Sequence, residues 1–121
     1  MVYMTMFNVQ AANTILYCGN WRETMRFYRD LLKLPVHLSL DWFVEFQLPG
    51  GGFLSIADAA RATIASSHGI GITLAFHVTD VDQAHHHLTA AGIAAGPIQN
   101  RWGARVFYFH DPEGHRLEAW S

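Results

Sequence analysis

Glu118 is an acidic side chain that alternation sets beside a basic and an aromatic neighbour. It stands on a strand-like run, His115–Trp120, whose alternation groups it with Arg116 and Trp120 on one face. A carboxylate on a sheltered face acts as a hydrogen-bond acceptor or a general base, with a raised pKa where little water reaches it. The other role open to it is structural, paired with Arg116 or Arg105, because an unpaired buried charge is costly. The histidines offer a second set. His85-His86-His87 looks like a metal tract, yet consecutive helical residues point about 100° apart and cannot chelate together. These three read as a solvated helix surface with His85 partly buried. His77 shares a face with Thr73 and Ala75, where it reaches the rim of a pocket or bonds backbone at a strand end. His110 and His115 flank the turn Asp111-Pro112-Glu113-Gly114 and read as turn and surface residues; His68 reads as loop, and His37 lies near the pocket.

The aromatic residues supply walls for such a pocket. Alternation places Phe43 with Glu45 and Gln47, Phe53 with Ser55, and Trp120 with Glu118. An apolar wall carrying a few convergent polar groups is the usual make-up of a small-molecule site, and a flat aromatic ligand would stack there. Trp102 and Arg105 are the loop-borne additions at the scaffold's edge. Ordinary core packing or a dimer seam is the competing reading of the same side chains.

The elements that must position these groups are legible as a repeat. A strand at Thr14–Cys18 is broken by Gly19-Asn20. A helix follows, with Asn20 and Glu23 in capping-box positions and a stripe at Trp21, Met25, Tyr28 and Leu32, widened by Phe27 and Leu31 and ended by Pro35. Strands are expected at Val36–Leu40, Trp42–Leu48 and Gly52–Ala57, the last two joined by a glycine-rich hairpin turn. The pattern restarts with a strand at Ile70–Val78 and a helix capped by Asp80, with the stripe Val81, Ala84, Leu88 and Ala91 and a stop at Gly92. Strand-like pieces follow near Gly96–Gln99, at Ala104–His110 and at His115–Trp120. The unit beginning near Asn13 recurs near Thr73, an offset of about sixty residues, half the chain. The expected fold is α+β: one domain over residues 1–121, with a first βαβββ module over about 13–58, a linker over about 59–69 and a second module over about 70–121. The two modules form a cupped mixed sheet around a pocket lined by both, and in chains of this length two copies often share that task as a homodimer.

Composition narrows the function. At 121 residues, half of them apolar, the chain can bury a real core. A formal charge of −2, one lysine (Lys33) and seven scattered arginines give no cationic cluster, so nucleic acid is not an expected partner. The single cysteine, Cys18, allows no internal disulfide and suggests a reducing, cytoplasmic compartment. No apolar run reaches the roughly 18–20 residues needed to cross a membrane.

Two stretches carry a family resemblance. AFHVTDVDQAHHHLTAAGI followed by WGARVFYFHDPEGHRLEAW is similar to the vicinal oxygen chelate superfamily, which includes glyoxalase I, extradiol dioxygenases and the fosfomycin- and bleomycin-resistance proteins. WRETMRFYRDLLKLP resembles that family's opening helix, with its aromatic pair Phe27-Tyr28. The resemblance runs from about Asn13 to Trp120 and is most specific at Phe109–Glu118. It implies metal-ligand positions at Asn13, Ser55, Thr73 and Glu118. Only Glu118 is a good ligand, and one carboxylate among amides and hydroxyls binds a divalent ion weakly, so no metal and no other cofactor is expected. The function this implies is a metal-free binding protein similar to the bleomycin-resistance branch, which would sequester a small organic molecule, aromatic or cationic, as a homodimer. The alternative is a glyoxalase-like lyase or isomerase, or a dioxygenase-type enzyme. Such an enzyme would depend on a metal or use Glu118 as base, with His77 or Tyr17 as acid partner. A domain with a vestigial pocket is the third reading.

Overall fold

A computed structural model describes residues 6–121, and its element order repeats once, strand for strand. The first module contains β1 (Ala12–Cys18), α1 (Trp21–Arg26) running into a π-helical turn (Phe27–Leu31), β2 (Val36–Ser39), β3 (Phe43–Gln47) and β4 (Gly52–Asp58). The second contains β5 (Thr73–His77), α2 (Val81–Ala90), β6 (Gln99–Arg101), β7 (Ala104–His110) and β8 (Arg116–Trp120). Each module makes one four-stranded mixed sheet, in the orders β1-β4-β3-β2 and β5-β8-β7-β6. In each, the first strand runs parallel to the last and the other pairs are antiparallel. The connecting stretch holds a single 3₁₀ turn, Ala59–Arg61. No helix among the described residues is long and apolar enough to cross a membrane.

Alternation sets the layers. Val44 and Phe46 of β3 and Leu54 and Ile56 of β4 are buried under α1, and Trp21 donates from its indole nitrogen to the Ile56 carbonyl at 2.8 Å. In the second module Phe107, Phe109, Leu117 and Ala119 turn toward α2. These helix-facing surfaces merge into one apolar core, with the Phe27 ring 6.3 Å from Phe109 and 5.3 Å from Tyr28. The opposite face of each sheet points away from that core.

The first helix departs from the regular stripe. Beyond Arg26 it widens into the π-helical turn, where the Leu32 amide reaches the Phe27 carbonyl at 3.0 Å. The extra residue per turn lets the adjacent Phe27 and Tyr28 both point inward, and it leaves Leu31 42% exposed instead of in the core. Lys33, with φ +56°, ends the helix before Pro35 is reached. Its start also differs. Asn20 makes no side-chain cap; the amides of Gly19 and Asn20 donate instead to the Glu113 carboxylate of the other module, both at 2.8 Å. Asp80 does cap α2, accepting from the Gln83 amide at 3.1 Å, while Ala91, expected in the buried stripe, is exposed.

The turn between β7 and β8 is the main polar junction of the modules. One oxygen of Asp111 accepts from the amides of Glu113, Gly114 and His115, and the other takes the Tyr28 hydroxyl at 2.7 Å and His115 Nδ1 at 2.8 Å. His115 is therefore buried at 1% exposure and not the surface residue expected from its place beside a turn, because Asp111 draws its ring inward. Burial pushes the Asp111 carboxyl up, but the His115 ring and the Tyr28 hydroxyl outweigh it and hold the group below the usual carboxylate range. Glu113 is likewise held low: burial raises it, and the Ser66 hydroxyl with the Asn20 and Gly19 amides lowers it by more. Carboxylates depressed in the folded state stabilise it fully above their unfolded values, near pH 4, and that stability goes as pH falls through the lower folded values. Urea unfolding followed from pH 7 downward should therefore give a level midpoint to about pH 5 and a fall below about pH 4. Glu113→Gln should make that fall shallower.

Candidate functional site

The outward faces of the two sheets hold almost all of the candidate side chains. On the first sheet, β1, β3 and β4 bring Asn13, Glu45 and Ser55 together, since Glu45 pairs with Ser55 and Asn13 lies two residues along from Ile15, the partner of Ser55. Ser55 donates from its hydroxyl to the Asn13 side-chain oxygen at 2.8 Å, and the Asn13 amide donates to Glu45 Oε1 at 3.0 Å. Glu45 Oε2 meets His37 Nδ1 at 2.6 Å. An ionised carboxylate can only accept, so this contact puts a proton on Nδ1. The His37 ring also lies against Phe53, 5.1 Å between centroids, and Phe43 packs on Trp42 at 5.4 Å.

On the second sheet Glu118 sits between Ala75 of β5 and Tyr108 of β7. Tyr108 faces it across the ladder, and the Glu118 carboxylate beside it holds the phenol above its ordinary pKa. The Arg116 guanidinium lies over the Tyr108 ring, 4.6 Å from its centroid, and donates from Nε to the Thr73 hydroxyl at 3.0 Å. Trp120 stacks on His77, centroids 4.1 Å apart and planes 14° from parallel. Trp102, at φ +51° in the β6–β7 turn and 87% exposed, joins Glu118, Trp120 and Arg101 around a hollow of about 150 Å³.

Arg105 is not brought to this site. It follows Ala104 on β7 and falls on the helix side of the sheet, where its guanidinium bonds Asp82 of α2 at 2.6 Å. Neither it nor Arg116 makes an ion pair with Glu118 among the described residues; Tyr108 is the cross-strand neighbour instead. Sequence reasoning passed over Tyr108 and left His37 without a role. The antiparallel register of the last hairpin, which sets Tyr108 opposite Glu118, was the signal for the first. The link from His37 to Glu45 runs through a register shift between β2 and β3 that alternation does not reveal. Cys18 takes no part in chemistry. It is buried, and burial together with the charges of Glu113 and Asp111 pushes its thiol far up, so it stays protonated.

The four positions that resemblance suggests for a metal do not fit one. Asn13 and Ser55 are hydrogen-bonded to each other, Thr73 accepts from Arg116, and Glu118 is left as the lone carboxylate of the four. Among the described residues no three His, Cys, Asp or Glu side chains group at ligating distance. The four are also divided between the modules. Two lie on each sheet, no strand pairing joins the sheets, and the faces that carry them both turn away from the shared helix core. The hollow at Glu118 is lined by second-module residues alone.

Two mixed sheets of the order 1-4-3-2, each backed by one helix and bearing polar groups on the outer face, define a glyoxalase-type fold. The model of the glyoxalase-like domain matches residues 11–121, and the chain belongs to that family. It is 27% identical over 120 residues to "Uncharacterized protein YraH" of Bacillus subtilis (strain 168), covering 88% of this chain and 93% of that one. Among solved structures it is similar to "Oxidase ChaP-H2", at 28% identity and a TM-score of 0.73 over 95% of this chain and 94% of that one. It also shares the fold of TnmS3, an antibiotic-binding protein from Streptomyces sp. CB03234, at 19% identity and a TM-score of 0.74 over 97% of both chains.

Proposed function

We propose that this chain is a metal-free binding protein for a flat aromatic or cationic small molecule, working as a homodimer. The observation that carries the reading is the meeting of Trp102, Trp120 and Glu118 around one hollow. Two indoles offer stacking surface and a carboxylate offers a counter-charge, which suits an aromatic amine or a drug of that kind. At about 150 Å³ the hollow is well below the roughly 300–1,000 Å³ of ligand pockets, so a second wall is required. The outward face of the first sheet in another copy, with Phe43, Phe53 and the Glu45–His37 pair, has the chemistry to supply it. The fold's use by an antibiotic-binding protein supports sequestration as the outcome.

Calorimetric screening of planar amines and neutral aromatics of equal size is expected to find ligands for the dimer, cationic ones preferred. Trp120→Ala should weaken them about tenfold, from a lost stacking contact of about 1–1.5 kcal/mol. Glu118→Gln should remove the preference for cations while sparing neutral aromatics. A panel without hits, or equal loss of both ligand types in Glu118→Gln, would count against the reading. One observation favours an enzyme instead: Glu118 and Tyr108, opposite each other on β8 and β7, are an acid–base pair that needs no ion. Turnover lost in Glu118→Gln with ligand affinity retained would select it.

A further inference from the structure

On the opposite side of the sheets, between the helix faces of the two modules, the core stays open around a hollow of about 760 Å³. Its walls are apolar: Leu31, Leu34 and Leu48 come from the first module, and Phe76, Leu88 and Phe109 from the second. Protein interiors hold few voids larger than a water molecule, while a hollow of this volume falls within the range that small ligands fill. The side chains around it register the gap. Leu31 is 42% exposed, and Leu34, Leu48 and Phe76 are only partly buried although they belong to the core's edge.

The mouth is polar and its charge is one-sided. Asp30 stands there, but its carboxylate is already bound at both oxygens by Arg29, at 2.8 and 3.1 Å. Lys33, set at the rim by its left-handed backbone, hydrogen-bonds among the described residues to the Asp30 carbonyl oxygen alone, at 3.3 Å. His87 on α2 adds an imidazole to the same rim, whereas the His77 ring lies on the other face of β5 against Trp120. The main-chain carbonyls at the end of α2 are capped by the amides of Ala91, Gly92 and Ile93, so they present little negative charge to the opening.

We propose that this intermodule hollow is a second binding site, taking a small amphiphile with a hydrocarbon body and a single anionic head that pairs with Lys33. The site stands apart from the Glu118 face and does not depend on the function proposed for that face. The hydrocarbon would cover the apolar walls, and the ammonium would hold the carboxylate at the water boundary, where an ion pair keeps most of its solvation.

Titration calorimetry with decanoate, decylamine and decanol on the full chain tests it. Saturable one-to-one binding of decanoate is expected, with decylamine at least tenfold weaker. Lys33→Gln should weaken decanoate roughly fivefold and leave decanol unchanged, the size of an exposed ion pair. Ala91→Phe, which adds a ring at the mouth from an exposed position, should cost at least tenfold for decanoate and decanol alike, with the fold intact by circular dichroism. No saturable binding, equal affinity for decanoate and decylamine, or undiminished binding in Ala91→Phe would each overturn the proposal. So would sedimentation showing that Ala91→Phe turns a dimer into a monomer while decanoate fails to bind, since the hollow would then be covered by a second copy.

Discussion

Asp111→Ala is expected to lower the unfolding free energy by about 3–5 kcal/mol, read as a drop in the urea midpoint at unchanged slope. The removed carboxylate serves three backbone amides, a buried phenol and a buried imidazole. Each donor left unsatisfied away from water costs about 1–3 kcal/mol, with partial relief where water or a rotated group replaces the oxygen. Typical domains have only about 5–15 kcal/mol in total, so this one substitution brings the chain near its stability limit. Asp111→Asn should cost much less. An amide oxygen can still cap the turn, and Tyr28 can turn its hydroxyl to accept from the new NH₂ group. Equal losses in the two variants would mean that the charge itself, and not the set of accepted bonds, holds the junction. A loss below about 1 kcal/mol in the alanine variant would mean that the amides find other partners.

Gly69→Ala is expected to cost on the order of 3 kcal/mol or more. Gly69 is buried at φ +81°, and a Cβ there would lie 2.2 Å from both the carbonyl carbon and oxygen of Gly114 and 2.5 Å from the His115 amide. These are main-chain atoms of the turn that Asp111 fixes, so they cannot swing aside as a side chain would. Gly71 provides the control. It has nearly the same φ, +80°, but nothing within 4 Å of a Cβ. Gly71→Ala should show only the cost of a left-handed alanine, about 1–2 kcal/mol, and the difference between the two variants measures the collision alone. If both variants lose the same amount, the linker moves off the turn at no cost and the close approach is not a constraint.

Strands were the more legible part of the fold because a pleated strand shows its buried face at every second residue. Val44 and Phe46 against Phe43 and Glu45, and Leu117 and Ala119 against Glu118, follow that rule directly. What alternation cannot show is a partner distant in sequence. Asn20 and Glu23 have the local spacing of a capping box, yet Glu113, more than ninety residues on, takes the amide that the box would have used. The same limit hid His115, whose position beside a turn says surface and whose partner says core. The π-helical turn is not legible because Trp21, Met25, Tyr28 and Leu32 satisfy an ordinary helical stripe, and the wider turn that buries Phe27 beside Tyr28 leaves no mark in that spacing. At the candidate site, faces were readable and depth was not. Trp120 and Glu118 fall together by strand parity, but Arg105 is one residue off that parity and points to the helix side.

The bond between Tyr28 and Asp111 has a consequence for the molecule's independence of parts. Although the halves copy each other in order, neither is a free-standing unit. Severing the chain between them would strip one fragment of the acceptor for its phenol and the other of the aromatic lid over Phe109. Heat should therefore melt both together in a single step, as one cooperative body and not as two beads on a string.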